Sequence, residues 1–330
     1  MHEARPDLDS KLTPEDRKSP SLPASSSSLS RQPTHPIFLG PDGLRPGWRI
    51  FLYLGMGIVL FMLLSSLERL IPEHGAGWLW RSMFLQFVMV LSVLLPAYVM
   101  AAIEQRPFSS YGFPLRKEGA WFGLGVLWGI LALSTLMLLL WLVGVFSFGS
   151  LSLHGPRILR FALFWGVFFL LVAVFEEFAF RGYSQFTLAQ GIGFWPAACV
   201  LSLFFGALHL WLNEGESAVG AFCAAAIGLF FCFTLRRSGS LWFALGMHAS
   251  WDWGESYLYS VPDSGGTVAG HLLNSSFHGA RWLTGGTVGP EGSVLALVVI
   301  AASWVVFDRI YPAEKRSRRG PEAFSEDELG

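Results

Sequence analysis

Ionisable side chains recur at three places in otherwise apolar stretches of the chain. Glu176 and Glu177 are adjacent, and Arg181 follows them. Histidines lie in two later apolar stretches, at His209 and His248. An ionisable group at the centre of a membrane helix costs about 2.5–3.5 kcal/mol, so each needs a partner or a function. These residues are therefore the first candidates for a functional site.

The two adjacent glutamates have different surroundings if this stretch is helical. Residues four apart share one face of a helix, so Glu177 faces Arg181, whereas Glu176 points about 100° away from its neighbour. Glu177 and Arg181 can neutralise each other, and Glu176 is left free to act as a general base. The alternative is that both glutamates and Arg181 form a structural ion cluster.

The histidines add a second pair of groups. Asp252 follows His248 by four residues, so its carboxylate can fix the tautomer and orientation of the imidazole. A lone histidine in an apolar helix is more often a core residue than a catalyst. Two of them on separate helices, together with a free glutamate, favour chemistry.

Three chemistries fit this set of residues. Glu176 with histidine help can activate water for attack on a peptide carbonyl. Glu176, His209 and His248 can instead supply the three protein ligands of a catalytic zinc, although the HExxH spacing is absent. Nucleophilic attack by Ser202 or Ser250 is the third, but neither serine lies in a G-x-S-x-G motif.

Composition restricts the class of protein. Of 330 residues, 52% are hydrophobic and 14% are charged, whereas soluble domains have about 25% charged residues. The net charge of −1 provides no basic excess, which excludes nucleic acid as an expected partner. The three cysteines form no CxxC pair, so neither a disulfide framework nor a thiolate zinc site is expected.

Apolar stretches long enough to cross a membrane predict an all-α, polytopic bundle of about eight transmembrane helices. The predicted spans are 49–67, 83–103, 120–146, 160–178, 194–212, 218–235, 241–259 and 293–307. Gly125 and Gly129 form a GxxxG pair in the third span, which predicts a close helix crossing.

The spans divide the chain into three regions. Residues 1–46 are expected to form a disordered polar arm, 47–311 the transmembrane domain and 312–330 a polar tail. Lysines and arginines concentrate in the segments that are cytoplasmic if both termini lie in the cytoplasm, so we expect that orientation. The basic run at 315–319 is expected to meet anionic lipid. We expect a multi-pass protein of a bacterial plasma membrane.

The motifs together resemble a known family. Two adjacent glutamates followed by an arginine, then Phe-x-x-x-His at 205–209, then His-x-x-x-Asp at 248–252, resemble the motif set of the CAAX-protease and bacteriocin-processing (CPBP) family. These proteins are relatives of the type II CAAX prenyl endopeptidases. Segments 109–115 and 237–242 add local similarity, and the likeness covers 106–253.

The resemblance implies a role for each matching residue. Glu176 and His209 would activate the attacking water, and His248 and Asp252 would line the oxyanion side. Glu177, Arg181 and Phe205 would support the site. The prenyl proteases typically have asparagine where this chain has Asp252. An ionised carboxylate cannot donate a hydrogen bond to an oxyanion, so we expect Asp252 to orient His248 as the donor.

The function expected from the sequence is therefore a glutamate-dependent intramembrane endopeptidase with no required cofactor, zinc being the alternative. Its substrate would be a membrane peptide, a lipidated C-terminus or a bacteriocin-like precursor. One alternative is a non-catalytic immunity factor or scaffold. Another is a transporter in which Glu176, His209 and His248 relay protons.

Overall fold

The structure is a computed structural model that describes residues 38–40, 43–72, 77–114 and 118–312. Most of the predicted polar arm, and the predicted tail from residue 313 onward, lie outside these residues. Residues from Leu44 onward form one compact unit, separate from the unit that ends at Gly43. The prediction of an all-α membrane bundle is confirmed.

Helices account for most of the described chain. The α-helices are α1 (Pro46–Ser65), α2 (Gly77–Ile103), α3 (Glu118–Leu142), α4 (Pro156–Arg181), α5 (Tyr183–Ile192), α6 (Phe194–Leu212), α7 (Ala218–Ser238), α8 (Trp242–Trp253), α9 (Arg281–Thr284) and α10 (Val294–Ile310). The strands are β1 (Leu39–Gly40), β2 (Gly43–Leu44), β3 (Phe146–Ser147) and β4 (Ser276–Phe277). β3 and β4 pair antiparallel, with Phe146 opposite Phe277.

Six helical stretches of the described chain are long and apolar enough to cross a membrane. They are 46–70, 77–103, 119–142, 156–192, 194–212 and 218–238. The other two predicted spans are shorter: α8 has 12 residues before a six-residue π-turn at Gly254–Tyr259, and α10 has 17 residues. The predicted total of eight spans therefore remains a prediction.

The fourth span is longer than the sequence predicted. α4 continues past the two glutamates to Arg181, and α5 follows after a break at Gly182. Together they cover 156–192 rather than the predicted 160–178. Glu176 and Glu177 therefore lie inside a long helical stretch and not at its end.

α3 and α8 cross closely at glycines. A Cβ atom added at Gly125 would lie 2.1 Å from the Phe243 carbonyl oxygen, and one at Gly246 would lie 2.2 Å from the Phe122 carbonyl oxygen. Gly129 is equally tight against Met247. The predicted close crossing of the GxxxG pair is confirmed, and it holds the histidine-bearing helix in the core.

A buried ion cluster joins α1, α2 and α5. Arg49 in α1 pairs through two nitrogens with Glu104, which follows α2. The hydroxyls of Tyr111 and Tyr183 donate to the same carboxylate at 3.0 and 2.6 Å, and the Arg49 guanidinium also donates to Gln190 at 2.6 Å. Arg49 is the first residue of the first predicted span, and its place in the sequence does not reveal these partners.

The two short segments that carried local similarity contact each other. The Leu241 amide, just before α8, donates to the Gly112 carbonyl at 2.9 Å. Gly112 has φ +96°, and a Cβ atom there would lie 2.7 Å from the Leu241 side chain. The contact fixes where α8 begins, and Leu115, at the end of the first segment, lies outside the described residues.

Candidate active site

α4 and α8 bring the predicted acids together around the imidazole of His248. Its Nδ1 lies 2.8 Å from Glu177 Oε1. Its Nε2 lies 3.3 Å from Asp252 Oδ2 and 3.7 Å from Glu176 Oε2. Three carboxylates from two helices therefore surround one histidine.

Glu177 has two partners instead of the one expected from the sequence. Arg181 donates from Nη1 to Glu177 Oε1 at 3.1 Å, as the four-residue spacing predicted. The same oxygen faces His248, and the Glu177 and Arg181 side chains are 0% and 1% exposed. Asp252 contacts the imidazole as its four-residue spacing predicted, at Nε2, and Glu177 holds Nδ1 in addition. Chain spacing could not reveal this contact because Glu177 and His248 are 71 residues apart.

Aromatic rings enclose the Arg181 guanidinium. Its central carbon lies 4.4 Å from the Phe205 ring centroid and 5.9 Å from that of Phe231. The Phe231 ring also stacks beside the His248 imidazole at 5.9 Å and 22°. Phe205 of the Phe-x-x-x-His motif thus supports Arg181, and a desolvated cation over a ring face is an attractive contact.

His209 approaches the site from α6. Its Nδ1 lies 2.9 Å from the Phe205 carbonyl oxygen, and its ring lies 4.4 Å from the Phe205 ring. A carbonyl oxygen only accepts, so this contact assigns the proton to Nδ1. In the neutral imidazole Nε2 is then an acceptor, as an assistant to a general base requires.

Glu176, His209, His248 and Asp252 share the wall of one cavity of about 180 Å³. The cavity follows α7 from Phe231 to Gly220, a rise of about 17 Å. Glu177 and Arg181 are not part of its lining. The four residues predicted to be catalytic therefore face one space, and the predicted supporting pair lies behind them.

Other acidic residues line this cavity and were missed in the sequence. Glu216 precedes α7, and Asp263, Ser264 and Glu291 belong to the loop between α8 and α10. Burial raises the pKa of Glu291 to about 7, with His209 partly offsetting the shift. Burial also raises the pKa of Asp263 well above its ordinary value. The 260–292 loop is long and rich in glycine, and its acids have no regular spacing that would mark them in the sequence.

The other two chemistries find less support in this arrangement. The ring nitrogens of His209 and His248 and a Glu176 oxygen do not come within 4.8 Å of one another. The Ser250 hydroxyl donates to the backbone carbonyl oxygens of Val126 and Met247, each at 3.1 Å. The Ser202 side chain is buried. Neither serine lines the cavity that holds Glu176.

Comparison with known proteins agrees with the motifs. The family model described as type II CAAX prenyl endopeptidase Rce1-like matches residues 158–254. This match covers less than a third of the chain, and it contains most of α4, all of α6 and α8, and every predicted site residue. No curated protein and no solved structure matches the chain. The resemblance to the CAAX-type membrane proteases, predicted from the motifs, is thereby confirmed at the level of the family.

Proposed function

We propose that this protein is an intramembrane endopeptidase in which Glu176 activates water. The observation that carries the proposal is the position of the Glu176 carboxylate. It faces the cavity, lies off the Glu177–Arg181 pair and remains 24% exposed, whereas Glu177 is fully buried. A carboxylate without a neutralising arginine, beside a space that can hold water and a peptide, suits a general base.

The reaction would proceed by direct attack of water on the peptide carbonyl. Glu176 takes a proton from the water, with His209 Nε2 as a second acceptor on the same cavity wall. The resulting hydroxide adds to the carbonyl carbon, and the carbonyl oxygen takes the negative charge. When the C–N bond breaks, the proton returns to the leaving amine. Both peptide ends are then free, and the site regains its starting protonation.

His248 would stabilise the oxyanion. With Nδ1–H donating to Glu177, Nε2 is the nitrogen on the side of Glu176 and Asp252. The two carboxylates near Nε2 favour its protonated form, in which both nitrogens donate. A preorganised N–H of this kind is worth several kcal/mol in a site shielded from water. The ionised Asp252 carboxylate can only accept hydrogen bonds, so it cannot donate to the oxyanion itself. Its role would be to support His248 as the donor.

The site would act on a peptide held at the membrane. Apolar side chains make up much of the cavity wall, including Val172, Ile227 and Ile300. Three of the helices that line it, α4, α6 and α7, are long and apolar enough to cross a membrane. The proposed substrates are a membrane-embedded peptide, a lipidated C-terminus or a bacteriocin-like precursor. No resident cofactor is needed for the proposed steps.

We further propose that both termini face the cytoplasm of a bacterial cell. Arg236 and Arg237 lie in the last turn of α7, and Arg309 lies in the last turn of α10. These cationic ends are the ones that face the cytoplasm and its anionic lipid in the predicted orientation.

The test compares peptide termini in membranes from cells that express the wild-type protein or Glu176→Gln at equal levels. The substitution keeps the shape of the side chain and removes the base. Glu214→Gln, at an exposed glutamate between α6 and α7, is the matched control. New termini should appear with wild type and Glu214→Gln and be absent with Glu176→Gln.

Two results would overturn the proposal. Identical termini in all three strains, with a cellular phenotype retained by Glu176→Gln, would indicate a scaffold or immunity protein. Proton-driven uptake by the purified protein in liposomes, lost in Glu176→Gln, would indicate a transporter.

A further inference from the structure

Three carboxylates meet outside the His248 cluster. Glu255 lies in the π-turn after α8, Asp263 begins the following loop, and Glu291 lies in the turn before α10. One oxygen from each lies within 4.8 Å of the other two. Asp263 and Glu291 line the cavity of the candidate active site, and none of the three acids is among the predicted catalytic residues.

Glu255, the fully buried member of this acidic triad, has no hydrogen bond or ion pair among the described residues that offsets the cost of burying its charge. Glu255 is 0% exposed, and neither of its side-chain oxygens has a hydrogen-bond partner among the described residues. The Trp251 indole interacts with the carboxylate without completing a hydrogen bond. No lysine or arginine in the described part of the chain forms an ion pair with any member of the triad. A buried charge left in this state is strongly unfavourable.

The other two acids are held in position by serines. The Ser264 amide and hydroxyl donate to Glu291 Oε1 at 2.7 and 3.0 Å. The Ser256 hydroxyl donates to Asp263 Oδ2 at 3.3 Å. Neutral hydroxyl and amide donors orient carboxylates without cancelling their charge. The local structure therefore preorganises an anionic site that neighbouring histidines offset only in part.

We propose that Glu255, Asp263 and Glu291 bind one divalent cation of the hard class, such as Ca²⁺, Mg²⁺ or Mn²⁺. Three carboxylates and no nitrogen or sulfur ligand form the donor set that such ions prefer, and zinc and copper prefer imidazole or thiolate. Remaining coordination positions would be filled by water from the cavity. The cation would remove the repulsion within the triad and satisfy the orphaned oxygens of Glu255.

The cation would join three separate parts of the fold. Asp263 and Glu291 lie near the two ends of the loop between α8 and α10, and Glu255 extends from α8. His248, Asp252 and Glu255 follow one another at helical spacing, so the Glu255 backbone lies about 10 Å along this helix from His248. Its binding would clamp both ends of the loop against the end of α8. This inference does not depend on the proposed proteolysis.

Direct binding to the full-length protein in detergent tests the inference. The protein is stripped with EDTA, freed of chelator and titrated with MnCl₂, and free Mn²⁺ is followed by electron paramagnetic resonance. Wild type should bind one Mn²⁺ per chain, and excess CaCl₂ should displace it. At saturating Mn²⁺ the unfolding temperature should rise by about 5 °C.

The variants separate this site from the rest of the cavity. Glu255→Gln and Asp263→Asn should each lose the bound Mn²⁺ and the temperature shift. In EDTA their unfolding temperatures should equal or exceed that of wild type, because each removes one repelling charge. Glu176→Gln, with its change in the same cavity near His248, should bind Mn²⁺ like wild type.

Several outcomes would overturn the inference. Wild type that leaves Mn²⁺ free at millimolar concentration would show that protons alone neutralise the triad. Loss of Mn²⁺ binding in Glu176→Gln would indicate that the ion binds at the His248 cluster instead. Unchanged binding in both Glu255→Gln and Asp263→Asn would exclude these acids as ligands.

Discussion

Glu177 Oε1 is shared by a histidine and an arginine: it lies 2.8 Å from His248 Nδ1 and 3.1 Å from Arg181 Nη1. One buried carboxylate oxygen thus connects the candidate oxyanion donor to the cation behind it. Glu177 is a positioning residue, because it reaches the cavity only through His248. Substitutions on the two sides of this oxygen should therefore have different effects: a change at Arg181 tests stability, and a change beside His248 tests activity.

Arg181→Met should destabilise the protein. It leaves Glu177 fully buried with His248 as its remaining partner, and breaking a buried ion pair from one side costs about 3–5 kcal/mol. Unfolding in mixed detergent micelles measures the loss. The double variant Arg181→Met with Glu177→Gln removes the stranded charge and should recover part of it. A single variant as stable as wild type would contradict this account of the pair.

Asp252→Asn should slow proteolysis while leaving substrate binding unchanged. The amide keeps the shape but loses the charge beside His248 Nε2, which weakens the protonated donor. The expected loss in kcat is about tenfold, equivalent to about 1.4 kcal/mol. The assay uses a peptide spanning the cleavage site found from membrane termini, with KM measured alongside. Full activity would remove Asp252 from the supporting role.

Gly129→Ala should destabilise the bundle where α3 crosses α8. The added methyl would lie 2.1 Å from the Ser250 hydroxyl oxygen and 2.4 Å from the Met247 carbonyl oxygen. Overpacking of this kind costs about 1–3 kcal/mol. Gly123→Ala on the same helix is the control, because a methyl there meets no atom within 4 Å. Equal thermal stability of the two variants in detergent would show that the close crossing is dispensable.

Glu104→Gln should weaken the ion cluster that joins α1, α5 and the end of α2. It leaves the Arg49 guanidinium, whose side chain is 10% exposed, without its counter-charge, and it replaces a charged acceptor of two tyrosine hydroxyls with a neutral one. The expected cost is about 3–5 kcal/mol of unfolding free energy. Glu68→Gln, at a more exposed pair with Arg81, should cost only about 0–1 kcal/mol. Chemical unfolding monitored by tryptophan fluorescence distinguishes them, and similar losses would contradict the assigned burial.

Features that depend on local helix geometry were predictable from the sequence. Glu177 faces Arg181, and Asp252 faces His248, because residues four apart share a helix face whatever surrounds the helix. Gly125 and Gly129 lie one turn apart for the same reason, and their lack of side chains predicted the close crossing. The apolar stretches determined that the fold is a helical membrane bundle, since backbone polar groups must be satisfied within each span.

Only the tertiary structure decided which helices share a site and how each side chain is paired. The contact between Glu177 and His248 depends on the packing of α4 against α8, which no spacing rule specifies. The same packing leaves Asp252 beside Nε2 of His248, whereas Glu177 contacts Nδ1. The acidic triad joins Glu255 to both ends of a loop without regular spacing, so its members were invisible as a group in the sequence. Local chain geometry fixes neighbours along a helix, whereas contacts between distant segments are set by how whole helices and loops pack.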